Sequence, residues 1–253
     1  MLFDSHIHVG WFDQLYFSPD YIGSIMTECN VDAYLVSSTS TCTDNYVEAL
    51  TEIEKLVFLY GNRIIPCLWL TEYGLSDEIK NLIKSYEIEW KCLKIHPALR
   101  TWEWAPDGEA VKKLFYLASV NHNTPILIHT GEDESCHALK YENIISQNPS
   151  IPIILAHGRP LESARYMISK YDNVYVDTAF MDTKDIIKLV KEGLSGTILW
   201  GTDLCIPSVY DSRINLQKYY RTILKKLKSK IGNSDFLDIT LNNAIKLFDL
   251  QEI

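Results

Sequence analysis

The chain has 253 residues, 47% of them hydrophobic and 23% charged, with a formal net charge of −9. That balance supports a sizeable apolar core and argues against a nucleic-acid partner, because Lys and Arg gather in no groove-length stripe. No run nears the roughly 18 consecutive apolar residues of a membrane helix, and no basic leader precedes the first apolar run. Six scattered cysteines without C-x-x-C spacing read as mostly buried free thiols of a reducing, cytoplasmic setting.

In chain order, short β-rich runs alternate with helical patterns. Strands are expected over 2–9, 31–38, 63–70, 91–97, 125–131, 151–158, 173–179 and 196–203. Helices are expected over 18–30, 45–61, 75–86, 107–121, 137–147, 160–171, 183–193 and 212–230, with one or two closing helices over 234–250. Ser18 followed by Pro19 is an N-cap with proline at the first helical position. Asp107 and Thr183 are further N-cap candidates. The basic run RTILKKLKSK (221–230) reads as the solvated face of the eighth helix.

Strand–helix alternation predicts a parallel sheet with crossover helices. Eight units in about 250 residues suit a (β/α)8 TIM barrel, an α/β fold. No linker divides the chain, so residues 1–253 are expected to form one barrel domain with closing helices. An open doubly wound sheet is the alternative. It would place a Gly-rich phosphate turn after its first strand, where this chain has His-x-His.

Active sites of such barrels lie at the C-terminal ends of the strands. Those ends carry His6 and His8 on strand 1, Lys94 and His96 on strand 4, His129 on strand 5, His157 on strand 6 and Asp203 on strand 8. Period-two alternation puts Asp4, His6 and His8 on one face, and Lys94 and His96 on one face. The same rule makes Leu127, Leu155 and Gly201 interior neighbours of His129, His157 and Asp203. Any one strand-end histidine is ordinarily a hydrogen-bonded structural residue. Imidazoles and a carboxylate converging from four strands instead form an N/O set suited to Zn2+ or a similar divalent ion. The loops after strands 1, 4 and 8 offer Trp11, Trp102, Trp104 and Tyr210 as pocket walls, against a reading as loop packing. Arg100, Arg159 and Arg213 are candidates to pair a substrate carboxylate. Cys136 and Cys205 read as bystanders.

The motifs DSHIHVG, LKIHP, PILIHTG, IILAHG, LWGTD and NNAIKLF run in order from residue 4 to residue 248. In that order the chain resembles the amidohydrolase superfamily, in the amidohydrolase-related branch that includes aminocarboxymuconate semialdehyde decarboxylase. The resemblance implies a divalent metal, Zn2+ foremost, as one or two ions. His6, His8 and Asp203 would hold the catalytic ion. His129 would complete that site or hold a second ion. His157 would polarise the substrate carbonyl or act as a ligand. Asp203 and His157 would be the catalytic groups, with Asp203 taking a proton from a metal-bound water. Lys94 would be a carboxylated bridge between two ions, or a plain lysine paired with Asp203 or a substrate carboxylate. His96 would face substrate or simply pack before Pro97. Asp4 and Asp177 would orient ligating histidines, or serve as structural carboxylates.

The implied activity is hydrolysis of a small-molecule amide, lactone or ester. A non-oxidative decarboxylase of a small unsaturated carboxylic acid shares the same ligands and is the alternative. A catalytically silent metal-binding barrel ranks third, since it has no need of both Asp203 and His157. A metal-dependent phosphoesterase barrel also opens Asp-x-His-x-His, but gives no reason for LWGTD and NNAIKLF. A homodimer is one assembly open to the chain.

Overall fold

The structure, a computed structural model, describes residues 1–99 and 104–250. Its strands are β1 (Phe3–Phe12), β2 (Leu15–Phe17), β3 (Ala33–Ser38), β4 (Ile64–Trp69), β5 (Cys92–Ile95), β6 (Ile126–His129), β7 (Ile153–Ala156), β8 (Val174–Asp177) and β9 (Ile198–Leu199). The helices between them are α1 (Pro19–Glu28), α2 (Tyr46–Tyr60), α3 (Asp77–Ser85), α4 (Glu109–Val120), α5 (Glu142–Gln147), α6 (Leu161–Lys170) and α7 (Thr183–Lys191). After β9 come α8 (Ile206–Tyr210), α9 (Leu216–Lys228), α10 (Asn233–Leu237) and α11 (Asn243–Phe248).

All eight expected strands are present, paired in parallel in chain order from β1 through β3 to β9. The cylinder shuts between β1 and the segment after β9. Ser5 N–H donates to Trp200 O at 2.7 Å, Asp203 N–H to His6 O at 2.8 Å and His8 N–H to Leu204 O at 3.3 Å, with a parallel bridge between Ile7 and Leu204. The fold is therefore a (β/α)8 barrel.

Sequence patterning missed β2, which pairs antiparallel with Gly10–Phe12 as a short hairpin on the end of β1. Gly10 makes that hairpin feasible. It sits at φ +97°, and a Cβ there would lie 2.7 Å from both Glu52 Oε2 and Ser40 Oγ. Short α8, absent from the sequence reading, occupies the loop ahead of the expected eighth helix.

Helix starts follow local chemistry. Ser18 Oγ accepts from Tyr21 N–H at 3.2 Å, with Pro19 in the first turn, as the sequence indicates. The other two cap assignments are one residue off. Gly108 precedes α4 and Asp182 precedes α7, neither with a side-chain cap bond, so Asp107 lies outside its helix and Thr183 just inside.

Two apolar layers hold the barrel. The larger lies between the strands and the helices, with Val9, Val36, Ile128 and Leu155 among its strand residues. The smaller fills the interior with Phe3, Leu35, Cys67, Leu127, Ile154 and Leu199. Phe248 of α11 plugs the N-terminal end by stacking on Phe3, ring centroids 5.7 Å apart. Asn243 Nδ2 ties that helix down by donating to Ser195 O and Ile198 O, each at 2.7 Å. One end of the cylinder is thus apolar and closed, which leaves polar chemistry to the other.

Candidate metal centre

His6 and His8 reach the barrel mouth through an irregularity. The register against β3 shifts between Asp4 and Ile7, pairing Asp4 with Tyr34 and His8 with Ser37. An extra residue in β1 reverses the alternation there. Asp4 therefore aligns with Tyr34 of the outer layer and does not share a face with His6 and His8, contrary to simple alternation. Its carboxylate accepts from the backbone N–H of His6 and from Thr202 Oγ1, a structural role, and touches no imidazole ring.

His157 needs a different device. Leu155, two residues before it, packs in the outer layer, where the period-two rule expected an interior residue. His157 lies past the end of β7 at φ +68°, and Asp203 past β9 at φ +51°. Left-handed backbone at two non-glycine residues costs free energy and is concentrated at functional sites. Gly201 lets this end of the sheet close up, since a Cβ there would lie 3.0 Å from His6 Cβ and 3.1 Å from Asp177 Cβ.

Hydrogen bonds fix the imidazole tautomers. His6 Nδ1 lies 2.9 Å from Asp177 Oδ2. Burial alone would raise the Asp177 carboxyl, but the facing His6 and His157 hold it below the usual carboxylate range. An ionised carboxylate only accepts, so Nδ1 of His6 carries the proton. His8 Nδ1 faces Ser37 O at 3.3 Å, and His157 Nδ1 faces Ala179 O at 3.2 Å. Carbonyls also only accept. All three rings thus turn Nε2 into the site, where Lys94 Nζ lies 2.9 Å from Nε2 of both His6 and His8. Burial pushes His8 down to about 3 and His157 to about 4, which keeps both rings neutral.

Two of these Nε2 atoms also face a carboxylate. Asp203 Oδ1 lies 3.1 Å from His8 Nε2 and 3.5 Å from His6 Nε2. It is buried with no hydrogen-bond partner among the described residues. The His6, His8 and His157 rings hold Asp203 well below the usual carboxylate range against the opposing effect of burial. Lys94 Nζ donates to the Nε2 atoms of His6 and His8, each at 2.9 Å, and lies 4.3 Å from the Trp69 ring centroid. Ligand atoms of His6, His157 and Asp203 all lie within 4.8 Å of one another. Three imidazole nitrogens and an unpartnered carboxylate oxygen fit a divalent ion.

His129 stands to one side. Its Nδ1 is 3.1 Å from His157 Nε2, and its ring stacks on His96 at 3.6 Å between centroids.

A cavity of about 510 Å3 opens above these groups. Lys94, His96, Asp203, Thr39, Thr130, Glu132, Asp133 and Arg159 supply its polar lining, and Phe12, Trp69, Phe180 and Tyr210 its aromatic walls. Of the sequence candidates, Tyr210 and Arg159 are in place. Trp11 is exposed, with its Nε1–H on Glu48, and Trp104 is buried in packing with its carbonyl accepting from Tyr141. Arg213 is 88% exposed and spent on Asp211. Arg100 and Trp102 lie outside the described residues. Trp69 and Phe180 were missed, although Trp69 ends a barrel strand in register with Lys94. Asking what closes every strand, and not only those ending in titratable groups, would have found it.

Asp177 ties the site together, since its Oδ1 also accepts from the backbone N–H of His157 at 2.9 Å. Asp177→Asn keeps the volume but loses the anionic acceptor that fixes His6. It is expected to weaken ion binding about 10- to 100-fold, read by chelator competition. Unchanged affinity would overturn the orienting role.

The sequence profile of a family described as amidohydrolase matches residues 72–250. Among solved structures, the IDCase of Metarhizium anisopliae in apo form superposes with a TM-score of 0.71 at 12% identity, covering 100% of this chain and 98% of that one. A probable 2-pyrone-4,6-dicarboxylic acid hydrolase of Acinetobacter baumannii, solved with citric acid, gives 0.70 at 11% identity, covering 98% of this chain and 99% of that one. The 4-oxalomesaconate hydratase of Rhodopseudomonas palustris gives 0.69 at 13% identity, covering 98% of this chain and 96% of that one. At such identities the likeness is one of fold. No curated protein matches.

Proposed function

The chain belongs to the amidohydrolase family, and on that premise we propose that it is a metal-dependent hydrolase of a small-molecule amide, lactone or ester. The observation that supports this best is the convergence of three imidazole Nε2 atoms and the unpartnered Asp203 Oδ1 beneath a cavity of about 510 Å3. A divalent ion held by His6, His8, His157 and Asp203, with Zn2+ the first choice, supplies a Lewis acid and a water acidic enough to ionise near neutral pH.

The chain's own groups do the remaining work. Asp203 is ionised and has a free lone pair, so it takes the proton of the attacking water and passes it to the leaving group. His157 has its proton on Nδ1, bound to Ala179 O. That tautomer favours a ligand role over donation to a substrate carbonyl. Trp69, Phe180 and Tyr210 exclude water from around a small, partly apolar substrate. Arg159, held by donation to Phe180 O at 2.6 Å, faces the same cavity and can meet an anionic substituent.

Lys94 can act in two ways. As an ammonium it turns to Asp203 or to a substrate carboxylate when an ion takes the Nε2 atoms. As a carbamate it would supply oxygen ligands to a two-ion site. We read the whole chain as one barrel domain, and the six free thiols fit a reducing cytoplasm.

The test is Zn2+-loaded protein assayed on amides, lactones and esters for acid or amine release, and on unsaturated carboxylic acids for CO2 release. Acid or amine release that a chelator abolishes and Zn2+ restores is the expected result. CO2 release alone moves the reading to the decarboxylase. Turnover that survives chelation overturns metal dependence. If added CO2 leaves the rate unchanged, the bridging lysine is excluded.

A further inference from the structure

The geometry points to a second metal site in the same barrel mouth, formed by His96, His129 and Cys136 and suited to a borderline-soft divalent ion such as Zn2+. Each residue offers one ligand atom, and the three atoms lie within 4.8 Å of one another. They come from three places in the fold. His96 follows β5, His129 ends β6, and Cys136 lies in the turn between β6 and α5.

Two features set this group apart from ordinary packing. His96 Nδ1 is buried and has no hydrogen-bond partner among the described residues. Leaving such an atom unsatisfied in the interior is unfavourable. A ligand that takes its lone pair removes that cost. The loop also brings the thiol to the imidazoles. Gly131 N–H donates to Cys136 O at 3.2 Å, folding the loop back on itself. A Cβ on Gly131 would lie 3.7 Å from Cys136 Cβ and 3.9 Å from His129 Nε2, so the glycine leaves the space around thiol and ring open.

The donor set selects the ion. Two imidazoles and a thiolate match Zn2+ and disfavour Mg2+ or Ca2+, which prefer oxygen. His96 and His129 line the cavity while Cys136 is buried behind them. The fourth position of a tetrahedral ion therefore faces the substrate space, open to water or an anionic substrate oxygen. Binding breaks the Cys136 S–H bond, releases that proton to solvent and forms a metal–sulfur bond, with no change of oxidation state. It also opens the stack in which the His96 and His129 rings lie 15° from parallel. None of His6, His8, His157 and Asp203 is a ligand here, although His129 Nδ1 lies 3.1 Å from His157 Nε2 and makes the two sites neighbours.

The experiment is elemental analysis of Zn2+-loaded, dialysed protein, paired with absorption spectra after Co2+ substitution. The wild type should hold two ions per chain and show a near-ultraviolet thiolate-to-cobalt charge-transfer band. Cys136→Ser should hold one ion and lose the band, and His96→Asn should weaken it. His8→Ala should lose an ion and keep the band, which separates failure of this site from failure of the proposed catalytic one. A wild type without the band overturns the proposal, whatever the folding of the variants. So does a band that survives in Cys136→Ser.

Discussion

Asp203→Asn is expected to lower kcat about 100- to 10,000-fold, the usual range for loss of a positioned proton-transfer group. Asparagine fills the same space but cannot take a proton. KM should change little, because the cavity walls that hold substrate are untouched. The carboxylate does two jobs, so metal content must be measured beside the rate. A low kcat with the ion retained isolates the proton transfer, and a low kcat restored by excess Zn2+ assigns the loss to binding. Wild-type turnover at wild-type metal content would remove Asp203 from the mechanism.

The metal-free chain is expected to lose stability as pH falls from about 6.5 to about 4. Burial lowers His8 from 6.5 to about 3 and His157 from 6.5 to about 4. In that window the unfolded chain binds the protons and the folded chain does not, so acid favours unfolding. Two buried carboxyls work the other way, and Glu52 is one, raised from 4.5 by burial. Asp4 is raised by burial from 3.8 to about 7, so the folded chain gains that proton first and is stabilised by it as pH drops. His8 and His157 against Asp4 alone would leave a net slope of about 1.4 kcal/mol per pH unit, which Glu52 reduces. His96 and His129, also lowered by burial, steepen it. Urea unfolding at pH 7, 6, 5 and 4 measures the slope. Stability that is flat or rising toward acid would show that these rings are protonated in the fold.

The barrel was legible because each strand is a local apolar run and the candidate histidines lie in or just past these runs. Period-two alternation and the strand-end rule need nothing beyond the strand itself. What escaped depends on chain geometry or on distant partners. The irregularity at Ser5 and His6 turns Asp4 away from the histidines, and a bulge leaves no residue-type signature in DSHIHVG. His157 reaches the mouth through a left-handed φ, so Leu155 misled as its neighbour. Arg213 looked free at a strand end, yet its partner stands two residues back. Trp69 and Phe180 were not singled out, because nothing in an aromatic residue's own sequence says whether it faces a helix or a cavity.

The barrel closes where β1 meets the end of β9, through a few backbone bonds around His6, His8, Asp203 and Leu204. Every other seam of the cylinder joins strands of adjacent units. This one joins segments nearly 200 residues apart, whose meeting carries the heaviest loop-closure entropy in the fold. The proposed metal centre straddles it, with two imidazoles on one lip and the carboxylate on the other. An ion held there acts as a clasp on a hoop. To open the cylinder at this seam a metal-loaded chain would first have to release the ion, which would make catalytic readiness and barrel integrity a single property.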